Sequence, residues 1–137
     1  MAGYSGTPLA RKLGIKEGHR VAAVGAPSGF PDLLSELPPG VELRIDPAEG
    51  DGPFDVVVLF AREAGELGEA FSAWKSRIRK DGGLWVGWPK KSSSLETDLD
   101  KSVVQRTGLD GGLVDNKVCA IDRDWSGLRF VYRLEDR

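Results

Sequence analysis

The run Asp55-Val56-Val57-Val58-Leu59-Phe60 is the most continuous apolar stretch in the chain and is bounded by turn residues. A strand with one wet face alternates apolar and polar side chains, whereas an unbroken β-branched run suits a strand covered on both faces. This stretch therefore predicts a strand near the middle of a sheet, with helices packed on each side. An α/β sandwich with mostly parallel strands follows.

Other segments supply the remaining strands. Arg20-Val21-Ala22-Ala23-Val24 reads as the first, and Val41-Glu42-Leu43-Arg44-Ile45, alternating apolar and charged, as one near a sheet edge. Leu84-Trp85-Val86-Gly87-Trp88 is stopped by Pro89, which has no N–H to give. Trp85 and Trp88, an odd number of positions apart, are expected on opposite faces. Leu113 to Asp122 and Leu128 to Leu134 read as a hairpin joined through Arg123-Asp124-Trp125-Ser126-Gly127.

Helical spacing fills the gaps between strands. Thr7 and Pro8 open a short helix closed by Gly14, and Phe30, Leu33, Leu34 and Leu37 mark a second. Leu67, Phe71, Trp74 and Ile78 stripe a helix over Arg62 to Lys80, with Asp81-Gly82-Gly83 as its stop. Leu99, Val103 and Val104 face inward from a helix capped at Ser93 or Thr97 and ending near Gly108. After the opening helix the order is β-α-β-β-α-β-α-β-β. It predicts a single α/β domain over residues 1–137, a three-layer Rossmann-like sandwich whose mostly parallel sheet ends in a C-terminal antiparallel hairpin.

Composition narrows the function classes. Against 19 Lys plus Arg stand 21 Asp plus Glu, a net charge of −2, which argues against nucleic acid or an anionic membrane as partner. No run reaches the roughly 18 apolar residues of a membrane span and the amino terminus has no apolar signal core, so a cytoplasmic location is expected. Cys119, the only cysteine, excludes an internal disulfide and reads as a small buried hydrophobe. His19, the only histidine, sits in a polar turn at the end of the sheet away from the expected ligand crevice. No residue cluster has metal-ligand spacing. No catalytic residue and no metal is assigned.

The candidate site lies where Trp88-Pro89-Lys90-Lys91-Ser92-Ser93-Ser94 leaves its strand. The carboxyl end of a strand feeding a cationic, hydroxyl-rich loop is where open α/β sheets place ligands. Lys90, Lys91, Ser92, Ser93 and Thr97, with the amides of the helix expected just beyond, form a set able to hold a phosphate or carboxylate. The glycine-lysine signature of a phosphate-binding P-loop is missing, so nothing specifies a nucleotide triphosphate. Gly25-Ala26-Pro27-Ser28-Gly29 ends a neighbouring strand and lines the same expected crevice, with Ser28 as a donor. Trp88 stands where a base would stack, and Trp125 at the hairpin turn is a candidate partner surface.

Two resemblances follow from these motifs. The strand order, with Val21-Ala22-Ala23-Val24-Gly25-Ala26-Pro27-Ser28-Gly29 and Arg79-Lys80-Asp81-Gly82-Gly83-Leu84-Trp85-Val86, resembles the class I S-adenosylmethionine-dependent methyltransferase fold, shortened by at least one strand-helix unit. That resemblance implies a cofactor loop at Gly25 and Gly29 and a ribose-facing acid at Asp46. Where the family pattern has an acid before the loop this chain has Ala23, and where it has the central glycine this chain has Pro27, so adenosylmethionine does not follow as cofactor and none is named. Nearer in sequence, Tyr4-Ser5-Gly6-Thr7-Pro8-Leu9 with Lys12-Leu13-Gly14-Ile15, Trp88-Pro89-Lys90-Lys91-Ser92-Ser93 with Thr97-Asp98-Leu99, and Gly112-Leu113-Val114-Asp115-Asn116-Lys117-Val118-Cys119-Ala120-Ile121-Asp122 with Trp125-Ser126-Gly127-Leu128-Arg129-Phe130-Val131 resemble a bacterial family known as a domain of unknown function. That family implies no activity.

Three functional expectations result. The first is a non-catalytic module binding a small anionic ligand, or an anionic group of a partner, through Gly25, Ser28, Gly29, Asp46, Trp88, Lys90, Lys91, Ser92, Ser93 and Thr97. The second is a divergent transferase using adenosylmethionine or a nucleotide. The third is an interaction protein, a homodimer built on the Val41 to Ile45 strand or on the Trp125 hairpin.

Overall fold

A computed structural model describes residues 7–48 and 50–137. Its strands are β1 (Arg20–Val24), β2 (Glu42–Ile45), β3 (Phe54–Phe60), β4 (Ile78–Pro89), β5 (Leu113–Ala120) and β6 (Trp125–Tyr132), and they form one sheet in the order β2-β1-β3-β4-β6-β5. The first four run parallel, β6 returns antiparallel beside β4, and β5 closes that edge. The alternating segment is the opposite edge, as its pattern predicted. The Tyr4-Ser5-Gly6 part of the family motif lies outside the described residues.

Both faces of β3 are buried, which explains its composition. Val57 and Leu59 enter a core with Leu67, Phe71 and Trp74 of α3 (Ala64–Lys75) and Val104 of α4 (Lys101–Asp110). Val56, Val58 and Phe60 enter a second core with Ala10 of α1 (Leu9–Lys12) and Phe30 of α2 (Phe30–Leu33). Trp85 and Trp88 divide the same way, Trp85 to the thin α1–α2 side and Trp88 to the α3–α4 side. Each such side chain contributes about 1.5–3 kcal/mol by leaving water.

Element boundaries depart from the sequence reading where local spacing is ambiguous. The long helix stops at Lys75, and Ile78 opens β4 opposite Phe54, so Gly82 and Gly83 lie inside a strand. Ile78 fits the helical stripe and a strand start equally. Of Lys75, Arg77, Arg79 and Lys80, all within the expected helix span, only Lys75 is helical. Arg79 instead meets Asp55 at 3.2 Å, and the Lys80 ammonium lies 4.2 Å from the Tyr132 ring centroid. The Phe30 helix is a single turn, its N-cap Gly29 offering no side-chain cap, and Leu37 packs beyond it. At the amino end Pro8, expected as the first helical residue, is the N-cap of α1.

The hairpin turn also shifts. Asp122 Oδ1 accepts hydrogen bonds from the amides of Asp124 (2.7 Å) and Trp125 (2.8 Å), closing a tight side-chain turn. Trp125 therefore begins β6 and is buried, 4% exposed, instead of standing at a tip. Cys119, read as a small buried hydrophobe, is half-buried on the edge strand, where burial raises its thiol pKa.

Candidate functional site

Two recesses adjoin at the carboxyl ends of the parallel strands. One, about 650 Å³, has Phe60 and Trp125 among its lining aromatics, the Gly25-Ala26-Pro27 turn as a wall, and Arg62 and Glu96 on its rim. The other, about 620 Å³, is lined by Lys90, Lys91, Ser93 and Thr97, and Glu96 borders it too. Trp125 stands edge-on to Phe60 (5.1 Å between centroids, 82°), and the Arg62 guanidinium lies 5.9 Å from the Trp125 ring. An aromatic lining next to a lysine loop suits a ligand with a flat neutral part and an anionic part.

The glycine turn and the acid after β2 come together. Gly25 has φ +66°, a conformation a side chain disfavours, and its amide donates to Asp46 Oδ1 at 2.8 Å. Asp46 in turn donates its own amide to the Ala23 carbonyl at 2.8 Å. One carboxylate oxygen is thereby engaged.

Segment 97–100 is clamped onto the start of α3. The Thr97 hydroxyl donates to the Arg62 carbonyl (2.6 Å) and accepts from the Leu99 amide (3.0 Å), so its only proton is committed. Asp98 Oδ1 accepts from the Ala64 amide at 2.8 Å, capping α3 from another segment. Asp100, not Ser93 or Thr97, caps α4 by accepting from Val103 at 2.9 Å, and that helix runs past Gly108 to Asp110. Asp98→Ala is expected to lower stability by about 0.5–2 kcal/mol in urea unfolding, whereas exposed Glu96→Ala stays within about 0.5 kcal/mol. Equal effects would deny the cap its role.

Of the sequence-derived site residues, Gly25 lines the first recess and Lys90, Lys91, Ser93 and Thr97 the second. Ser28, Gly29, Asp46 and Ser92 line neither, and Trp88, 6% exposed, is packed in the α3–α4 core. Nor do the serines meet a helix start, since α4 begins only at Lys101 and its cap is Asp100, which takes the Val103 amide. Sequence reasoning passed over Phe60, Arg62 and Glu96. Arg62 carried a usable signal, because it stands two residues past a central parallel strand.

A parallel sheet with a glycine turn after β1, an acid after β2 and an antiparallel strand beside β4 defines a Rossmann-like, methyltransferase-like fold. Solved structures share it. Magnesium protoporphyrin IX methyltransferase from Synechocystis PCC 6803, with bound SAH, aligns at TM-score 0.64 and 11% identity over 85% of this chain and 75% of that one. A SAM-dependent methyltransferase from Aquifex aeolicus gives 0.64 and 14% over 89% and 86%. Aeropyrum pernix fibrillarin, with natively bound S-adenosyl-L-methionine, gives 0.61 and 17% over 94% and 70%. In sequence, the chain belongs to the family described as "Protein of unknown function (DUF3052)", which matches residues 10–134. No curated protein matches it.

Proposed function

We propose that the protein is a ligand-binding Rossmann-like module that takes a small anionic ligand, or an anionic group of a partner, at the carboxyl ends of its strands. The charged part lies beside Lys90 and Lys91 and the neutral part in the recess over Phe60 and Trp125. The observation that carries this reading is that the two recesses share Glu96 as a border. Asp98 and Asp100 sit on the positive ends of α3 and α4, which offset their charge. Among the described residues neither lysine forms an ion pair.

A ligand that binds only the folded state raises stability by about 2.7 kcal/mol at a hundred times its dissociation constant. Thermal denaturation of the protein with AMP, ADP and adenosylhomocysteine tests this. A saturable rise with the nucleotides, weakened in Lys90→Ala/Lys91→Ala, is expected. A rise left unchanged by the double substitution overturns the assignment.

One observation favours a second reading, a divergent adenosylmethionine-dependent transferase. The Gly25 amide and the Asp46 carboxylate meet where the methyltransferase resemblance calls for a cofactor loop and a ribose acceptor. Pro27, without an amide donor, opposes it. A shift with adenosylhomocysteine alone, abolished by Asp46→Ala, would select it.

A further inference from the structure

The opposite end of the sheet holds a recess of about 360 Å³ lined by cations. Lys12 and Lys16 flank the end of α1, Lys117 comes from β5, and Arg129 from β6. A backbone irregularity sets the last two side by side. The pairing of β5 with β6 shifts between Asp115 and Lys117, so Asn116 is an extra residue and Lys117, not Asn116, stands directly across from Arg129. Residues paired across an antiparallel ladder share a face, and like charges there repel. Among the described residues the Arg129 guanidinium makes no hydrogen bond or ion pair, although the residue is half-buried.

The surroundings keep this charge in place without cancelling it. A side chain at Gly83 would put its Cβ 2.5 Å from Arg129 Nε, so glycine in β4 gives the guanidinium its room. Asp55 on the pocket wall is already engaged, Oδ2 with the Arg20 amide (2.8 Å) and Oδ1 with Arg79 (3.2 Å). Asp81 is the other lining carboxylate and is exposed. The Trp85 indole N–H donates to the Leu13 carbonyl at 2.9 Å, pinning the segment between Lys12 and Lys16 to the sheet. His19 Nδ1 accepts from the Lys16 amide at 3.1 Å, which leaves Nε2 to carry the proton of the neutral ring. Burial, then the charge of Arg137, lowers the pKa of Arg129, as expected of a guanidinium held without an anion.

We infer that this amino-end pocket is a second ligand site, which takes a small phosphate-bearing anion between Lys117 and Arg129, with Lys12, Lys16 and His19 as further donors. Its volume suits one or two phosphate groups and is at the small end for ligand pockets. A planar guanidinium offers the paired donors that phosphate oxygens accept. The inference stands apart from the carboxyl-end reading, because the two sites share no residue.

Calorimetric titration with inorganic phosphate and with pyrophosphate tests it, run in the full chain carrying Lys90→Ala/Lys91→Ala so that the lysine loop contributes nothing. Saturable binding is expected, tighter for pyrophosphate than for phosphate, and weakened at least about tenfold by adding Lys117→Gln/Arg129→Gln. Without ligand, the Lys117→Gln/Arg129→Gln protein should melt at or above the parent temperature, since a like-charge contact is gone. Absent binding, unchanged affinity in the charge-removed protein, or citrate binding as tightly as pyrophosphate would each overturn the assignment. So would a clear fall in the ligand-free melting temperature, which would make the pair a structural prop.

Discussion

Trp85→Ala is expected to remove about 3–5 kcal/mol of folding stability, measured by urea unfolding. Trp85 is fully buried in the middle of β4, on the face whose helices, among the described residues, are two single turns. Little can collapse into the space it would leave. Its indole N–H is also the link from the sheet to the Leu13 carbonyl, at 2.9 Å. Trp85→Phe keeps most of the packing but strands that carbonyl, and about 1–3 kcal/mol is expected for it. Against a total margin of about 5–15 kcal/mol, the alanine variant gives up a large share of the protein's stability. A midpoint unchanged in both variants would mean that α1 is held by other contacts.

Gly108→Ala is expected to destabilise the protein even though it improves helix propensity. In a helix interior, alanine gains about 1 kcal/mol over glycine. At Gly108 of α4, however, a Cβ would overlap the Phe130 ring. That ring is fully buried and held edge-on by Phe71, with centroids 5.3 Å apart at 86°, so it has nowhere to retreat. Overpacking of this kind costs about 1–3 kcal/mol or more, which outweighs the propensity gain. The control is Gly68→Ala in α3, where nothing lies within 4 Å of the added methyl. It should raise stability by about 0.5–1 kcal/mol in the same urea experiment. Opposite signs at the two glycines are the outcome to look for.

Legibility in the sequence tracks how far each feature is set by neighbours along the chain. The Val56 to Phe60 run declared a central strand because burial on both faces leaves no polar position, and odd spacing alone placed Trp85 and Trp88 on opposite faces. The start of β4 was hidden. Arg79 and Lys80 look like solvated helix residues until Asp55 and Tyr132, distant in sequence, are seen to receive them. Likewise Asp122 decides where the hairpin turns, through one side chain that period-two counting ignores.

The candidate sites divide in the same manner. Strand-end reasoning brought Gly25 to Asp46 and grouped Lys90 with Thr97, but it could not see that the Thr97 proton is already committed or that Trp88 points into the core. The amino-end pocket was out of reach for a different reason. In an unshifted register Asn116 would stand across from Arg129, and no charge cluster would be predicted.

The position of β6 bears on how the chain is made. The last strand of the sheet to leave the ribosome is not added at an edge; it fills the slot between β4 and β5. It also brings Leu128 and Phe130, which complete the core beneath α3 and α4. A nascent chain that has emerged only as far as the turn at residues 121–124 therefore has β4 with an open flank and α4 with no Phe130 to pack on. Until β6 arrives, the parallel half is an unfinished sheet with sticky backbone groups on show, the kind of intermediate that chaperones shield during synthesis.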